Sequence, residues 1–250
     1  MEPGYHIPRG LVLQVLWASL IGKPRELREE AQAFVRGIHP PPLILGEECI
    51  PKSGPFLLLM NHYCRPGFAV WWLALSISSR LGMPHTWVST SEWTAPDRWY
   101  GPMKTGVSGW IFGRLAKVYG LLSMPPMPPN PREAERRAAA VRRVLTYVER
   151  QPEAVVCMAP EGRDVGRGRL GWPPSGAGRF ISLLAARGLQ ILPVGGWEEG
   201  GTLVIRFGEA YRLETIREAG EREGTDKRMA EAVMRSIARL LPEDLRGEFG

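Results

Sequence analysis

The sequence is poor in cysteine and histidine, the residues that most often form disulfides and metal sites. Its 250 residues contain three cysteines, Cys49, Cys64 and Cys157, and four histidines that lie far apart. No C-x-x-C pair occurs, and no histidine shares a helical face with a cysteine or a second histidine. Zinc sites and disulfide frameworks need such spacings. We therefore expect a reduced, cytoplasmic protein that holds no metal and needs no bound cofactor.

Long apolar runs are also missing. A membrane-spanning helix needs roughly 20 consecutive apolar residues, and the nearest approach is the shorter run LVLQVLWASLIG at residues 11–22. This run has no small-residue cleavage site, so it does not resemble a secretory signal. It has Trp17 in its middle and basic residues, Arg9 and Lys23, on its two sides. That pattern is typical of a helix in the membrane interface, although a core helix fits the composition equally well.

The chain contains more basic than acidic residues. Lys and Arg number 32 against 26 Asp and Glu, which gives a net charge of +6 and a pI near 9.5. Such a surface attracts anions such as phosphate head groups or nucleic acids. The arginine-rich stretch at residues 132–150 contains interleaved glutamates, and no motif alternates aromatic and basic residues. We therefore expect an anionic membrane surface as partner, no nucleic acid, and a peripheral location on the cytoplasmic face of the membrane.

Several well-known catalytic motifs are absent from the chain. It contains no Walker loop, no G-x-S-x-G elbow and no H-E-x-x-H helix. The hexapeptide GRGRLG at residues 166–171 does fit the dinucleotide pattern G-x-G-x-x-G. In a dinucleotide site that loop opens directly into a helix, whereas Pro173 and Pro174 intervene here. The usual nucleotide-binding and hydrolase classes therefore lose their main support.

Apolar runs alternate with amphipathic segments along the chain. The strand candidates are residues 42–46, 55–60, 154–160, 190–196 and 202–208, and the helix candidates are residues 24–38, 67–81, 132–150 and 179–188. This alternation predicts a single α/β domain at residues 40–215, with a mixed, largely parallel sheet flanked by helices. Residues 1–39 are predicted to form an N-terminal helical segment that associates with the membrane. Residues 216–250 are predicted to form a helical tail packed on the domain.

Two loops follow apolar strands and carry most of the reactive side chains. The first is NHYCRPG at residues 61–67, and the second is PEGRDVGRGRL at residues 160–170. Carboxyl ends of parallel strands meet at one edge of a sheet, so we expect both loops to face one cleft. His62 is the candidate base, with a histidine packed in the core as the alternative, and no acid occurs from Arg65 to Ser91 to orient its ring. Cys64 is interpreted as a small buried thiol, because no oriented base is evident beside it.

The order of these motifs resembles the glycerolipid, or lysophospholipid, acyltransferase family. The resemblance rests on four segments within residues 40–210, which read LILGEECIPKSGPFLLLMNH, PEGRDVGRGRLGWPPSGAG, ILPVGG and RFGEAYRL. It implies an enzyme that moves a fatty acyl group from acyl-CoA or acyl-carrier protein to a hydroxyl of a lysophospholipid or related lipid alcohol. It also implies that His62 takes the proton from that hydroxyl, which is general-base catalysis suited to an imidazole. By the same resemblance the substrate-binding candidates are Asn61, Arg65, Glu161, Gly162 and Arg163.

The chain departs from the family pattern at two places. Gly67 stands where the family has an Asp five residues after the His, and Asp164 stands where it has a phosphate-anchoring Arg. We hypothesise that the Asp164 carboxylate orients His62 from across the cleft, with Glu92 and Asp97 as weaker candidates. A solvated loop residue without a role is the alternative for Asp164.

Because Asp164 stands in place of the family's arginine, the residue that would bind a phosphate group is also undecided. Arg163, Arg167 and Arg169 are the neighbouring candidates for its charge, and Arg114 or Lys104 would replace an Arg of the family's middle motif. The two departures together leave a second functional interpretation. In this alternative the protein is a catalytically degenerate relative that binds acyl chains or lipid without transferring them.

Overall fold

A seven-stranded sheet forms the centre of this computed structural model, which describes residues 2–92, 101–126, 131–163, 168–214 and 222–250. The strands are β1 (Gly4–Tyr5), β2 (Ile38–His39), β3 (Leu43–Leu45), β4 (Phe56–Met60), β5 (Thr86–Thr90), β6 (Leu122–Met124), β7 (Val155–Met158), β8 (Gln190–Glu199) and β9 (Thr202–Phe207). Strands β1 and β2 form a separate antiparallel pair. The large sheet has the order β3-β9-β8-β4-β7-β5-β6, and its neighbours are parallel except β8 with β9. The predicted mixed, largely parallel sheet is confirmed.

The central strands β4 and β7 consist of continuous apolar sequence because both of their faces are covered. All five residues of β4 and all four of β7 are buried. Leu57 pairs with Val156 and Leu58 with Cys157, while the other edge of β4 pairs with β8. A strand covered on both faces has no solvent-facing side on which polar residues could alternate. The loops after β4 and β7 therefore leave the sheet side by side, at its carboxyl edge.

Helices flank the sheet on both faces. They are α1 (Arg9–Ile21), α2 (Leu27–Val35), α3 (Trp71–Ser78), α4 (Gly101–Tyr119), α5 (Ala134–Arg150), α6 (Ala177–Ala185) and α7 (Arg222–Ala238). The chain runs outward from β4 to β6 through α3 and α4, and it returns to β7 and β8 through α5 and α6. Right-handed crossovers in opposite directions place these two pairs of helices on opposite faces. Helix α2 packs on α3, and the C-terminal helix α7 packs on α6 and β8.

The structure adds four strands that the sequence pattern did not predict, the separate pair β1 and β2 and, in the large sheet, β5 and β6. Only two of the five residues of β5 are buried, and β6 has three residues that are all partly buried. Such short segments near the edge of a sheet lack the apolar run that marks β4 and β7. The helix predicted at residues 67–81 is shorter in the structure, since α3 spans Trp71–Ser78. Among the described residues, none of the helices is both long and apolar enough to span a bilayer.

Candidate active site

Asn61 and His62 follow β4 directly at the carboxyl edge of the sheet. The Asn61 side chain is buried, and its amide nitrogen donates a 2.8 Å hydrogen bond to the carbonyl oxygen of Gly196 in β8. The backbone N–H of Gly196 donates in return to Asn61 Oδ1 at 2.7 Å. Asn61 was a substrate-binding candidate, and the structure shows its amide engaged with the protein backbone. It attaches the start of the His62 loop to β8, while His62 itself is partly buried.

Glu161 joins the two loops through its carboxylate. The side chain is almost fully buried, with a relative exposure of 1%. Oε2 accepts a 2.6 Å hydrogen bond from the backbone N–H of His62, and Oε1 accepts a 2.7 Å bond from the N–H of Gly171. Burial raises the pKa of Glu161 to about 7, and the two N–H donors partly offset that effect because they favour the charged form. The carboxylate predicted to bind substrate thus holds the backbone of the predicted base.

The second loop turns sharply after Glu161. Gly162 has a left-handed backbone with φ of 63°, and its N–H donates to the carbonyl oxygen of Ala159 at 3.1 Å. This conformation favours glycine, because a side chain would be strained there. Arg163 follows with an exposed side chain. The turn explains why a glycine follows the buried acid, and it directs Arg163 toward solvent.

The second loop also packs directly on the first. Gly168 has a left-handed φ of 70°, and a Cβ atom built on it would lie 2.7 Å from the Tyr63 ring and 3.3 Å from the Cys64 carbonyl oxygen. Only a residue without a side chain allows this approach. The two loops therefore contact each other at the carboxyl edge of the sheet, and that both face one cleft stays a prediction. Gly168 of the GRGRLG stretch therefore serves loop packing here.

Arg65 is engaged with protein carboxylates. Its Nη2 lies 2.8 Å from Glu198 Oε1, its Nε also contacts Glu198, and its Nη1 lies 3.2 Å from the exposed Glu2. The Tyr5 hydroxyl donates to the same Glu198 carboxylate at 2.5 Å. Burial and the negative charge of Glu198 raise the pKa of both Tyr5 and Tyr63. This cluster ties the N-terminal strand β1 to the His62 loop, and sequence patterns gave no sign of it.

A cavity of about 560 Å³ lies beside the second loop. It is located at the carboxyl ends of β5, β6 and β7, between α5 and α6. The apolar part of its wall includes Val88, Met124, Pro125, Pro126, Ala138, Val141, Met158, Ala159, Pro160 and Phe180. Arg137, Arg142 and Arg179 add positive charge to this wall. Gly162 also lines the cavity, so the cavity and the His62 loop are joined through the adjacent Glu161.

The candidates for orienting His62 are only partly placed. Asp164 and Asp97, like Arg167, lie outside the described residues. Glu92 lies against Gly109 of α4 and 3.9 Å from the Arg136 guanidinium. Gly67, at the position of the family's acid, is exposed and has a left-handed φ of 81°. The hypothesis that Asp164 orients His62 therefore stays a prediction.

The remaining cationic candidates are Arg169, Lys104 and Arg114. Arg169 is exposed, and the Lys104 side chain lies outside the described part of the chain. Arg114 packs over the Trp110 ring and donates to carbonyl oxygens at the end of α1. As for metals, the described residues contain no group of three or more His, Cys, Asp or Glu side chains that is placed to bind one.

Comparison with known proteins supports the fold. The chain is a single α/β domain whose mostly parallel sheet carries a histidine loop at its carboxyl edge. A solved structure with a similar fold is the 1-acyl-sn-glycerophosphate acyltransferase PlsC from Thermotoga maritima, with a TM-score of 0.54 over 90% of this chain and 80% of that chain. The two sequences are 15% identical, so the similarity shows a shared fold. No family model and no curated protein sequence matches the chain.

Proposed function

We propose that this protein is an acyltransferase that moves a fatty acyl group from an acyl thioester to a hydroxyl of a lysophospholipid or related lipid alcohol. The donor would be acyl-CoA or acyl-carrier protein. The observation that carries the proposal is the attachment of the His62 amide, through Glu161, to a loop that lines an apolar cavity. The similarity of the fold to that of an acyltransferase supports the same class of reaction.

His62 is the residue proposed to act on the substrates. Its imidazole removes the proton of the acceptor hydroxyl as the hydroxyl oxygen attacks the thioester carbonyl carbon. A carbon–oxygen bond forms, the carbon–sulfur bond breaks, and the thiolate leaves and takes up the proton. General-base catalysis of this kind contributes typically about 10²–10⁴-fold to a rate. No covalent acyl-enzyme is required, so Cys64 has no part in the reaction.

The cavity is proposed to hold the acyl chain. Ligand pockets have volumes of roughly 300–1,000 Å³ and mostly apolar walls, and the cavity of about 560 Å³ falls within that range. Arg142 and Arg179 in its wall carry charge suited to a phosphate or carboxylate group of the donor or acceptor. Arg137 is fixed more firmly, since it donates to the carbonyl oxygens of Pro125 and Pro126.

Gly67 favours a second candidate function, which is acyl or lipid binding without transfer. The family pattern has an acid at this position, whereas Gly67 carries no side chain and has a left-handed backbone. Loss of the acid that orients a catalytic histidine lowers turnover by about 10⁴-fold in serine proteases. If nothing replaces that acid, the cavity would still bind an acyl chain while the transfer step fails.

One assay separates the two functions. Purified protein is incubated with labelled acyl-CoA or acyl-carrier protein and a panel of lysophospholipids and lipid alcohols, and labelled product is measured. We expect transfer to at least one acceptor. Saturable binding of the acyl donor with no product for any acceptor would instead support the binding protein. Absence of both binding and transfer would contradict both functions.

A second part of the proposal concerns attachment to membranes. Eight large apolar side chains on α1 and α4 are between 44% and 67% exposed, namely Leu13, Leu16, Trp17, Leu20, Ile21, Val107, Trp110 and Ile111. We call this surface the α1–α4 face. The Arg114 guanidinium joins its two halves, because it packs 5.5 Å from the Trp110 ring centroid and donates to the Leu20 carbonyl oxygen at 3.3 Å. The exposure of the α1 side chains disfavours the alternative that α1 is a core helix.

The α1–α4 face is proposed to lie on an anionic membrane surface. Side chains at Leu13, Leu16, Trp17 and Leu20 recur every three or four residues, so they share one side of α1. An interfacial helix buries such a side among the lipid chains and keeps its basic residues near the head groups. The net charge of +6 acts in the same direction.

Replacing both Leu16 and Trp17 by Glu is expected to lower partition onto phosphatidylglycerol vesicles at least about tenfold. Burial of one large apolar side chain contributes about 1.5–3 kcal/mol, and 1.4 kcal/mol corresponds to a factor of ten. Vesicle sedimentation measures the bound fraction. Leu183→Glu is the matched control, because Leu183 is 38% exposed but lies on α6. Equal partition of the wild type and the double variant would contradict attachment through this face.

A further inference from the structure

Glu161 is a buried acid that the proposed reaction does not use. Its two carboxylate oxygens are each occupied by a backbone N–H, one from His62 and one from Gly171. These donors lie 99 and 10 residues away along the chain. A buried carboxylate is costly, and a neutral side chain would fill the same space at lower cost. Its presence indicates a need for two acceptors at this point between the loops.

The bond to His62 acts on the predicted base itself. The donor is the N–H of the residue that carries the imidazole, so the bond limits how the His62 backbone can move. The preceding residue, Asn61, is held to β8 by two side-chain hydrogen bonds. Hydrogen bonds therefore fix both the backbone amide of His62 and the side chain of the residue before it, at the point where the chain leaves the sheet.

Glu161 thus forms a hydrogen-bonded bridge between the His62 and Gly171 amides, and the Gly171 end of this bridge is also held in place. The N–H of Leu170 donates to the carbonyl oxygen of Leu245 at 2.9 Å, and a Cβ built on Gly247 would lie 2.1 Å from the Leu170 carbonyl oxygen. The Trp172 ring packs on Phe249 with centroids 4.8 Å apart. The C-terminal segment therefore holds the stretch that presents the Gly171 amide. Glu161 connects the base to a supported loop.

We propose that Glu161 is a positioning residue for His62, which sets the base relative to the second loop and its cavity and does so as a carboxylate. This inference rests on the proposed acyltransferase function. An ionised carboxylate accepts hydrogen bonds at both oxygens, whereas a protonated one presents an O–H donor. Protonation therefore places an O–H donor against one of the two N–H donors. That hydrogen bond is lost, and the bridge between the loops loosens.

The pH dependence follows from the surroundings of the carboxylate. Burial raises the pKa of Glu161 to about 7, and the two backbone N–H groups that face it lower the pKa. Within the described part of the chain, no charged side chain contributes to this shift. The bridge is complete above this pKa and weakens as the pH falls through it. Both His62 and Glu161 must then be deprotonated for full activity.

Glu161→Gln is expected to lower kcat about 10²-fold while KM changes less than about threefold, since a displacement of about 1 Å at a catalytic group has an effect of this size. In a plot of log kcat/KM against pH, the acidic limb of the wild type should have a limiting slope of about two, because two groups must lose a proton. The acidic limb of the variant should have a slope of about one. Glu153→Gln is the control, because Glu153 is exposed and precedes β7 at the opposite end of that strand. A variant within threefold of wild-type kcat, or with the wild-type acidic slope, would overturn the proposal.

A second measurement does not depend on activity. The Gly171 amide proton, followed by NMR in the wild type, should shift with a midpoint near the Glu161 pKa of about 7. The same resonance should not titrate in Glu161→Gln. A Gly171 amide that is insensitive to pH in the wild type would overturn the bridge. Wild-type protein without any transfer would overturn the positioning role together with the proposed function, and the Gly171 titration would show whether the bridge itself exists.

Discussion

Replacing His62 by alanine is expected to lower kcat/KM for acyl transfer by about 10²–10⁴-fold, which corresponds to about 3–5 kcal/mol of transition-state stabilisation. Without the imidazole, the acceptor hydroxyl must lose its proton to water as it attacks the thioester. Substrate binding should change little, because the cavity is formed by other residues. The measurement is the initial rate of labelled product formation at saturating and limiting acceptor, with wild type and variant side by side.

The control for this prediction is His39→Ala. His39 is exposed and ends β2, which lies outside the seven-stranded sheet, so its removal should leave transfer unchanged. Added imidazole should restore part of the activity of His62→Ala, since a small base can enter the space that the side chain leaves. A His62→Ala protein that keeps more than a tenth of wild-type kcat/KM would exclude His62 as the general base.

Replacing Asn61 by alanine is expected to reduce the free energy of unfolding by about 2–5 kcal/mol. The Asn61 amide both donates to and accepts from the backbone of Gly196. Asn61 directly follows Met60, the last residue of β4 that pairs with β8. The side chain therefore continues the β4–β8 ladder beyond the end of the strand. Alanine leaves a buried N–H and a buried carbonyl without these partners, and each such loss costs about 1–3 kcal/mol.

Urea denaturation at neutral pH measures the effect of Asn61→Ala, with Gln151→Ala as control. Gln151 is exposed at the end of α5, so its truncation should change stability by less than about 0.5 kcal/mol. Asn61→Asp offers a further check, because an ionised Asp cannot donate to the Gly196 carbonyl oxygen but a protonated one can. Its stability relative to wild type should rise as the pH falls. Equal stability of Asn61→Ala and wild type would show that the two bonds contribute nothing.

The prediction of the sheet succeeded where burial is continuous. The runs that became β4, β7, β8 and β9 are apolar at most positions, and a covered strand needs that composition whatever its neighbours are. Strands β5 and β6 escaped prediction because only two of their eight residues are buried. Their place in the sheet depends on pairing with β7 and with each other. Such pairing leaves no local pattern in so short a segment.

The meeting of the two candidate loops was predicted from the sequence, whereas the contacts of their individual side chains were not. His62 was named from its loop and Glu161 from the family resemblance, as a substrate-binding candidate, and the two loops do meet at the carboxyl edge of the sheet. The partners of Arg65 and Asn61 were not predicted, since Glu198 lies 133 residues from Arg65 and Gly196 lies 135 residues from Asn61. Residue type shows that a side chain can form a hydrogen bond. Its partner depends on how the strands are ordered.

The sequence by itself determined the class of fold and the two loops that follow its buried strands, because apolar composition and turn residues act locally. Tertiary structure alone decided that Glu161 binds the His62 amide and not solvent, and that α1 is exposed although it is apolar enough for a core. Both outcomes depend on which surfaces remain after the sheet and its helices have packed. A hydrogen bond between distant loops and the exposure of a helix are properties of that packing, and no single segment encodes them.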